Sequence, residues 1–119
     1  MSTLRVTTLA TQAGVEVYTA KAWVNFNGTG TVAIRASGNV SSITDNGTGD
    51  YTVNFTVAMA DANYSGVATS RRSLIYKSYG NATLLPTSAS AAQVCTGVED
   101  VYSGETPVDS EWVSVAIFR

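Results

Sequence analysis

Aromatic rings set among cations and amides are the residues of this chain best suited to binding chemistry. Arg71, Arg72, Tyr76, Lys77, Tyr79 and Asn81 fall within residues 66–90, and Tyr102 falls within 99–110. Both segments are rich in turn-forming residues. A tyrosine ring can lie against the apolar face of a pyranose while amides and guanidiniums fix its hydroxyls. These residues are therefore a candidate contact surface for a glycan receptor. The same tyrosines would serve equally well as strand-edge or interface residues, and the residue types alone leave both readings open.

Catalytic chemistry has much less to work with. The chain has no histidine, so the commonest zinc and copper ligand, the commonest general base and any Ser-His or Cys-His nucleophile are missing. Its one cysteine, Cys95, lies among small and apolar residues in "AAQVCTGV" and is expected to be a buried small hydrophobe. Glu99, Asp100, Glu105, Asp109 and Glu111 cluster late in the chain. They lack the spacing of a calcium loop, and the expectation is a solvated acidic loop rather than a metal or acid/base site. The glycine pair of "NFNGTGTV" (25–32) is not followed by a helix or by a P-loop lysine, so it reads as a hairpin turn rather than a phosphate cradle. Asn27, Asn39, Asn46, Asn54, Asn63 and Asn81 each precede a Ser or Thr by two positions, which in so Thr- and Ser-rich a chain is compositional. No enzyme activity, metal or cofactor is expected.

Composition narrows the partners. Charged residues make up 13% of the 119 residues and the net charge is -2, with Arg71-Arg72 the only basic doublet. Nucleic acid, which demands a concentrated positive field, is not an expected ligand. No run of about 18 apolar residues exists, so membrane insertion is not expected. The opening "MSTLRVTTLATQAG" lacks the basic stretch and apolar core of a secretory signal.

The elements that must position these residues are strands. Ala22, Val24 and Phe26 alternate with Lys21, Trp23 and Asn25; Val32, Ile34 and Ala36 alternate with Thr31 and Arg35. In "YTVNFTVAM", Tyr51, Val53, Phe55, Val57 and Met59 share one face. Period-two alternation is what a half-buried strand requires. Further strands are expected near 40–45, 64–70, 73–79, 91–98 and 111–118. "NGTG" (27–30) and "DNGTGD" (45–50) read as hairpin turns, and "DANY" (61–64), "SYGNAT" (78–83) and "SGETPVD" (103–109) as breaks. The fold class is all-β: an antiparallel β-sandwich over 15–119, preceded by an N-terminal arm or linking strand over 1–14.

The last strand, "SEWVSVAIFR", is apolar on both faces, with Val113, Val115 and Ile117 on one and Trp112, Ala116 and Phe118 on the other. Such a strand needs cover on both sides. Trp23, on the polar side of its own strand, poses the same demand. Trp23, Trp112 and Phe118 are therefore candidate subunit-interface residues.

The stretch "KAWVNFNGTGTVAIRASGNVSSITDNGTGDYTVNFTVAMADANYS" (21–65) resembles a segment recurring in bacteriophage and prophage tail fibre proteins near their C-terminal tip, and those proteins tend to close on a strand like "VAIFR" (115–119). The resemblance implies a homotrimeric fibre or fibre-tip domain carried on the virion and made in the host cytoplasm. Its partners would be itself, other phage tail proteins, and a bacterial surface glycan, lipopolysaccharide or outer-membrane receptor. The resembling segment brings no catalytic motif with it. Residues 66–110 lie outside it, which is where receptor contacts are expected on a shared scaffold. The alternative readings are a structural tail or baseplate protein that binds only virion proteins, and a depolymerase acting on surface glycan.

Overall fold

The computed structural model describes residues 19–72, 80–100 and 104–119. Nine strands run through them, and no helix occurs among the described residues: β1 Ala22–Asn27, β2 Ala33–Gly38, β3 Val40–Gly47, β4 Asp50–Phe55, β5 Ser65–Arg71, β6 Gly80–Ser88, β7 Ala91–Asp100, β8 Gly104–Pro107 and β9 Trp112–Phe118. They form two antiparallel sheets, one in the order β2-β1-β9-β5 and the other β3-β4-β7-β6, with β8 paired to β7 beyond the end of β4. The arm over 1–14 and the strand expected over 73–79 lie outside the described residues, as do Tyr76, Lys77, Tyr79 and Tyr102.

The two sheets share one core because each strand turns its β-branched and aromatic alternates inward. Ala22, Val24, Phe26, Val113, Val115 and Ile117 come from the first sheet, and Tyr51, Val53, Phe55, Ala92 and Val94 from the second; all are buried. Phe26 meets Tyr51 edge to face across the gap, ring centroids 5.2 Å apart, and Phe55 meets Tyr64 in the same way at 5.6 Å. Each fully buried large side chain contributes about 1.5–3 kcal/mol. An all-β chain of two sheets packed about a common core has the architecture of a β-sandwich.

Both hairpin turns form where the glycines and asparagines place them. β1 pairs with β2 and β3 with β4, and Gly30, Gly47 and Gly49 take positive φ. Between β2 and β3 the chain changes sheets at Asn39, the one described non-glycine residue with positive φ (55°). Its side-chain amide donates to the carbonyls of Lys21 and Val57, and its carbonyl oxygen accepts from Val57 N, so three contacts offset the backbone strain.

Several expectations fail. β4 stops at Phe55, and Val57 is 67% exposed although Met59 returns to the core. Residues 80–83, read as a break, begin β6, and 104–107, also read as a break, form β8. Ladder pairing along β7 overrides weak local propensity in both segments. Ala36 does not share a face with Ile34. The register jumps between Asn25 and Phe26, pairing Asn25 with Ala36 but Phe26 with Ile34, so Arg35 is the extra residue of a bulge. Cys95 is exposed rather than buried and forms no disulfide. Val94 and Thr96 hold the inward positions of β7, and alternation sends Cys95 out between Asp50 and Thr83.

Candidate functional site

At the end of the sheets where β1 passes to β2 and β3 to β4, here called the upper end, the two sheets are tied by polar contacts. Tyr51 is fully buried, and its hydroxyl donates toward the Gly28 carbonyl and Asp109 Oδ1, both at 2.9 Å. Asp109 Oδ1 also accepts from Gly49 N at 2.8 Å, and Gly28 N donates to the Ser110 carbonyl. Thr96, buried on β7, donates to the Val108 carbonyl at 2.7 Å. Asp109 is thus no member of a solvated acidic loop. It fastens the 108–111 crossing to the β3–β4 hairpin, while Ser110 ties that crossing to Gly28 beside β1.

Burial, and then the hydrogen bond and charge of Asp109, raise the pKa of Tyr51 far above the ordinary tyrosine range. The folded state therefore holds this proton more tightly than the unfolded chain. The stability that follows is complete below about pH 10 and declines as pH rises above it. Unfolding titrations at pH 9 and pH 11 are expected to show a larger loss in the wild type than in Tyr51→Phe, which keeps Tyr64, itself raised by burial. Equal losses in both would clear Tyr51 of responsibility. At neutral pH the same substitution strips a donor from two acceptors and is expected to cost about 1–3 kcal/mol.

Outside the core, beside this joint, lies a cation-aromatic cluster on the outer face of the first sheet. The β2 bulge turns Arg35 across β1 toward β9. Its guanidinium donates to Asn25 Oδ1 at 3.3 Å and to the Glu111 carbonyl at 2.8 Å, and it stands 5.1 Å from the centroid of the Trp112 ring. Arg71 is the cross-strand neighbour of Trp112 on the opposite side, at the end of β5. Arg72 follows it, and its carbonyl accepts from Glu111 N at 3.3 Å. Asn81, half-buried at the start of β6, accepts through its carbonyl from Ser70 Oγ at 3.2 Å. The structure therefore gathers Arg71, Arg72, Asn81 and Trp112 at the upper end.

Toward the lower end the same outer face is apolar. Trp23 pairs with Ala116, which pairs with Val67, and two residues further along β9 Phe118 faces Ser65 at the sheet's end. Trp23 is 43%, Phe118 41% and Val67 60% exposed. The Trp23 indole lies over Gly38 so closely that a Cβ there would stand 2.9 Å from its Cδ1. The three residues expected at a subunit interface thus share one sheet face, with Trp112 four residues from the Trp23 row, about 13 Å at strand spacing.

The outer face of the second sheet is different in kind. Asn54 donates to Ser42 Oγ and Thr44 Oγ1, Asn46 to Thr52 Oγ1, and Gln93 to Asp50 Oδ1. Beside this polar ladder a shallow depression of about 390 Å³ is lined by Thr48, Asp50, Thr83, Cys95, Thr96 and Pro107 among others. A second depression of about 270 Å³, at the lower end, lies between Lys21, Asn39, Met59 and Arg119. Among the described residues no three His, Cys, Asp or Glu side chains gather as a metal site would require. No helix there is long and apolar enough to cross a membrane.

Sequence reasoning missed Arg35, Asn25 and Asp109. Arg35 was visible as a polar alternate of β2, but nothing local signalled the bulge that carries it over Trp112. Asp109 looked like one acid among five, since its partner Tyr51 lies 58 residues away. The chain matches no known protein family, no curated protein and no solved structure.

Proposed function

We propose that this chain is a receptor-binding module of a bacteriophage tail fibre, assembled as a homotrimer on the virion and attaching to a bacterial surface glycan or lipopolysaccharide. One observation carries the reading. A single sheet face divides into an apolar half, with Trp23, Val67 and Phe118 exposed, and a cationic-aromatic half with Arg35, Arg71 and Trp112. The apolar half suits burial against sister subunits or other tail proteins. The upper end, where Arg71, Arg72 and Asn81 gather, suits contact with a saccharide. The resemblance of 21–65 and 115–119 to tail fibre tips supports it, and Trp23 and Phe118 both belong to those segments. Weak sites repeated by trimer symmetry and by several fibres would give avidity far beyond one site's affinity.

Binding of the fluorescently labelled protein to a panel of bacterial strains and to a glycan array tests the proposal. Strain-selective binding is the expected result. Absence of binding to every strain and glycan, with capture by purified tail or baseplate proteins instead, would replace the proposal with a purely structural role. Release of reducing sugar from host polysaccharide would replace it with a depolymerase.

A further inference from the structure

The guanidinium of Arg35 is held before any ligand arrives. Asn25 Oδ1 on β1 and the Glu111 carbonyl and Trp112 ring at the start of β9 fix it from two strands. The two hydrogen bonds use only part of its donor set, and the remaining N–H groups have no acceptor among the described residues. Arg71, exposed across the strand pair from Trp112, has no ion-pair partner among the described residues, and the Arg119–Asp61 pair lies at the opposite end. Of the nearby acids, Asp109 is committed to Tyr51 and Gly49, and Glu111 meets Arg35 through its carbonyl oxygen rather than its carboxylate. Two positive forks therefore flank one half-buried indole in a chain whose net charge is -2.

We infer that Arg35, Trp112 and Arg71 form a subsite for an oxyanion carried on a sugar, a carboxylate or phosphate substituent of an acidic saccharide, with the guanidiniums binding the anion and the exposed part of the indole meeting the ring. The inference rests on the proposed function and narrows its ligand to acidic glycans. A fork already immobilised by stacking and hydrogen bonds loses little further freedom on binding, and guanidiniums match the bidentate geometry of carboxylate and phosphate. Neutral sugars would offer these arginines only hydroxyl acceptors, whose hydrogen bonds are roughly half as strong as those to an anion. The inference also parts Trp112 from Trp23 and Phe118: it belongs to the ligand-facing half of the sheet, whereas they belong to the apolar half.

Titration calorimetry and tryptophan fluorescence with oligogalacturonate, mannose phosphate and a neutral maltooligosaccharide would test it. The expected result is salt-sensitive binding of one or both acidic probes and much weaker binding of the neutral one. Preference for the uronate or for the phosphate identifies which anion source the subsite accepts. Arg71→Gln and Arg35→Gln are each expected to weaken acidic-probe binding by about tenfold or more. Lys21→Gln, which removes the same charge at the opposite end, should leave it unchanged. Arg71 is exposed at a strand end, so its variant remains a fair test even if Arg35→Gln unfolds β2. Equal affinity for the neutral probe, undiminished binding by Arg71→Gln, or no binding of either acidic probe would overturn the inference. Strain binding that survives in Arg71→Gln would overturn it while sparing the proposed function. Absence of strain binding by the wild type counts against both.

Discussion

Gly49→Ala is expected to lower stability by about 2–5 kcal/mol, the sum of a left-handed backbone penalty and an overpacking penalty. Gly49 has a φ of +65°, and a Cβ on it would stand 2.9 Å from Val108 N and nearer still to the Thr96 carbonyl. Both neighbours are backbone and cannot swing aside. Gly49 N donates to Asp109 and its carbonyl accepts from Thr96 N, so any shift that relieves the clash breaks the joint between the sheets. Gly30, with a φ of +59° but nothing within 4 Å of its missing Cβ, supplies the control. Gly30→Ala should cost only the backbone term, about 1–2 kcal/mol. In a thermal melt, a fall of about 10 °C or more for Gly49→Ala, and much less for Gly30→Ala, is the expected pattern. Similar falls would show that the upper joint does not hold the fold.

Trp23→Ala has the largest expected effect on assembly. A half-exposed tryptophan in an apolar patch is the kind of residue that dominates an interface, with truncation costs of about 2 kcal/mol or more, roughly thirtyfold in the dissociation constant. The protomer should suffer less, because nearly half of Trp23 is already exposed and much of the remainder rests on Gly38. Analytical ultracentrifugation across a concentration series is expected to show a trimer for the wild type and dissociation at higher concentration for the variant. A monomeric wild type, or a variant with unchanged assembly, would remove Trp23 from the proposed interface.

Much of the strand plan was legible because period-two alternation is a local property. Val24 and Phe26 inward with Trp23 outward, and Val113, Val115 and Ile117 inward with Trp112 and Phe118 outward, follow from spacing alone and agree with the structure. Cys95 was misread for an equally local reason. In "AAQVCTGV" both faces carry small or apolar residues, so alternation there does not say which face is inside. The strands β6 and β8 were hidden because their own residues favour turns, and only their pairing with the neighbouring β7 makes them strands. The cation-aromatic cluster was half visible: Arg71 and Trp112 could be named, but their adjacency needs the β5–β9 register, and Arg35 joins them only through a bulge.

That bulge has a bearing on how many copies of this protein can live side by side. β2 and β3 are the outermost strands on their side of the two sheets, and their outward backbone edges could template another chain. A template must be regular over several residues to recruit. The β2 ladder is interrupted opposite Asn25 and Phe26, and the β3 ladder shifts near both of its ends. The irregularity that turns Arg35 over Trp112 therefore also blunts the sheet margin, keeping crowded neighbours from zipping together edge to edge into aggregates.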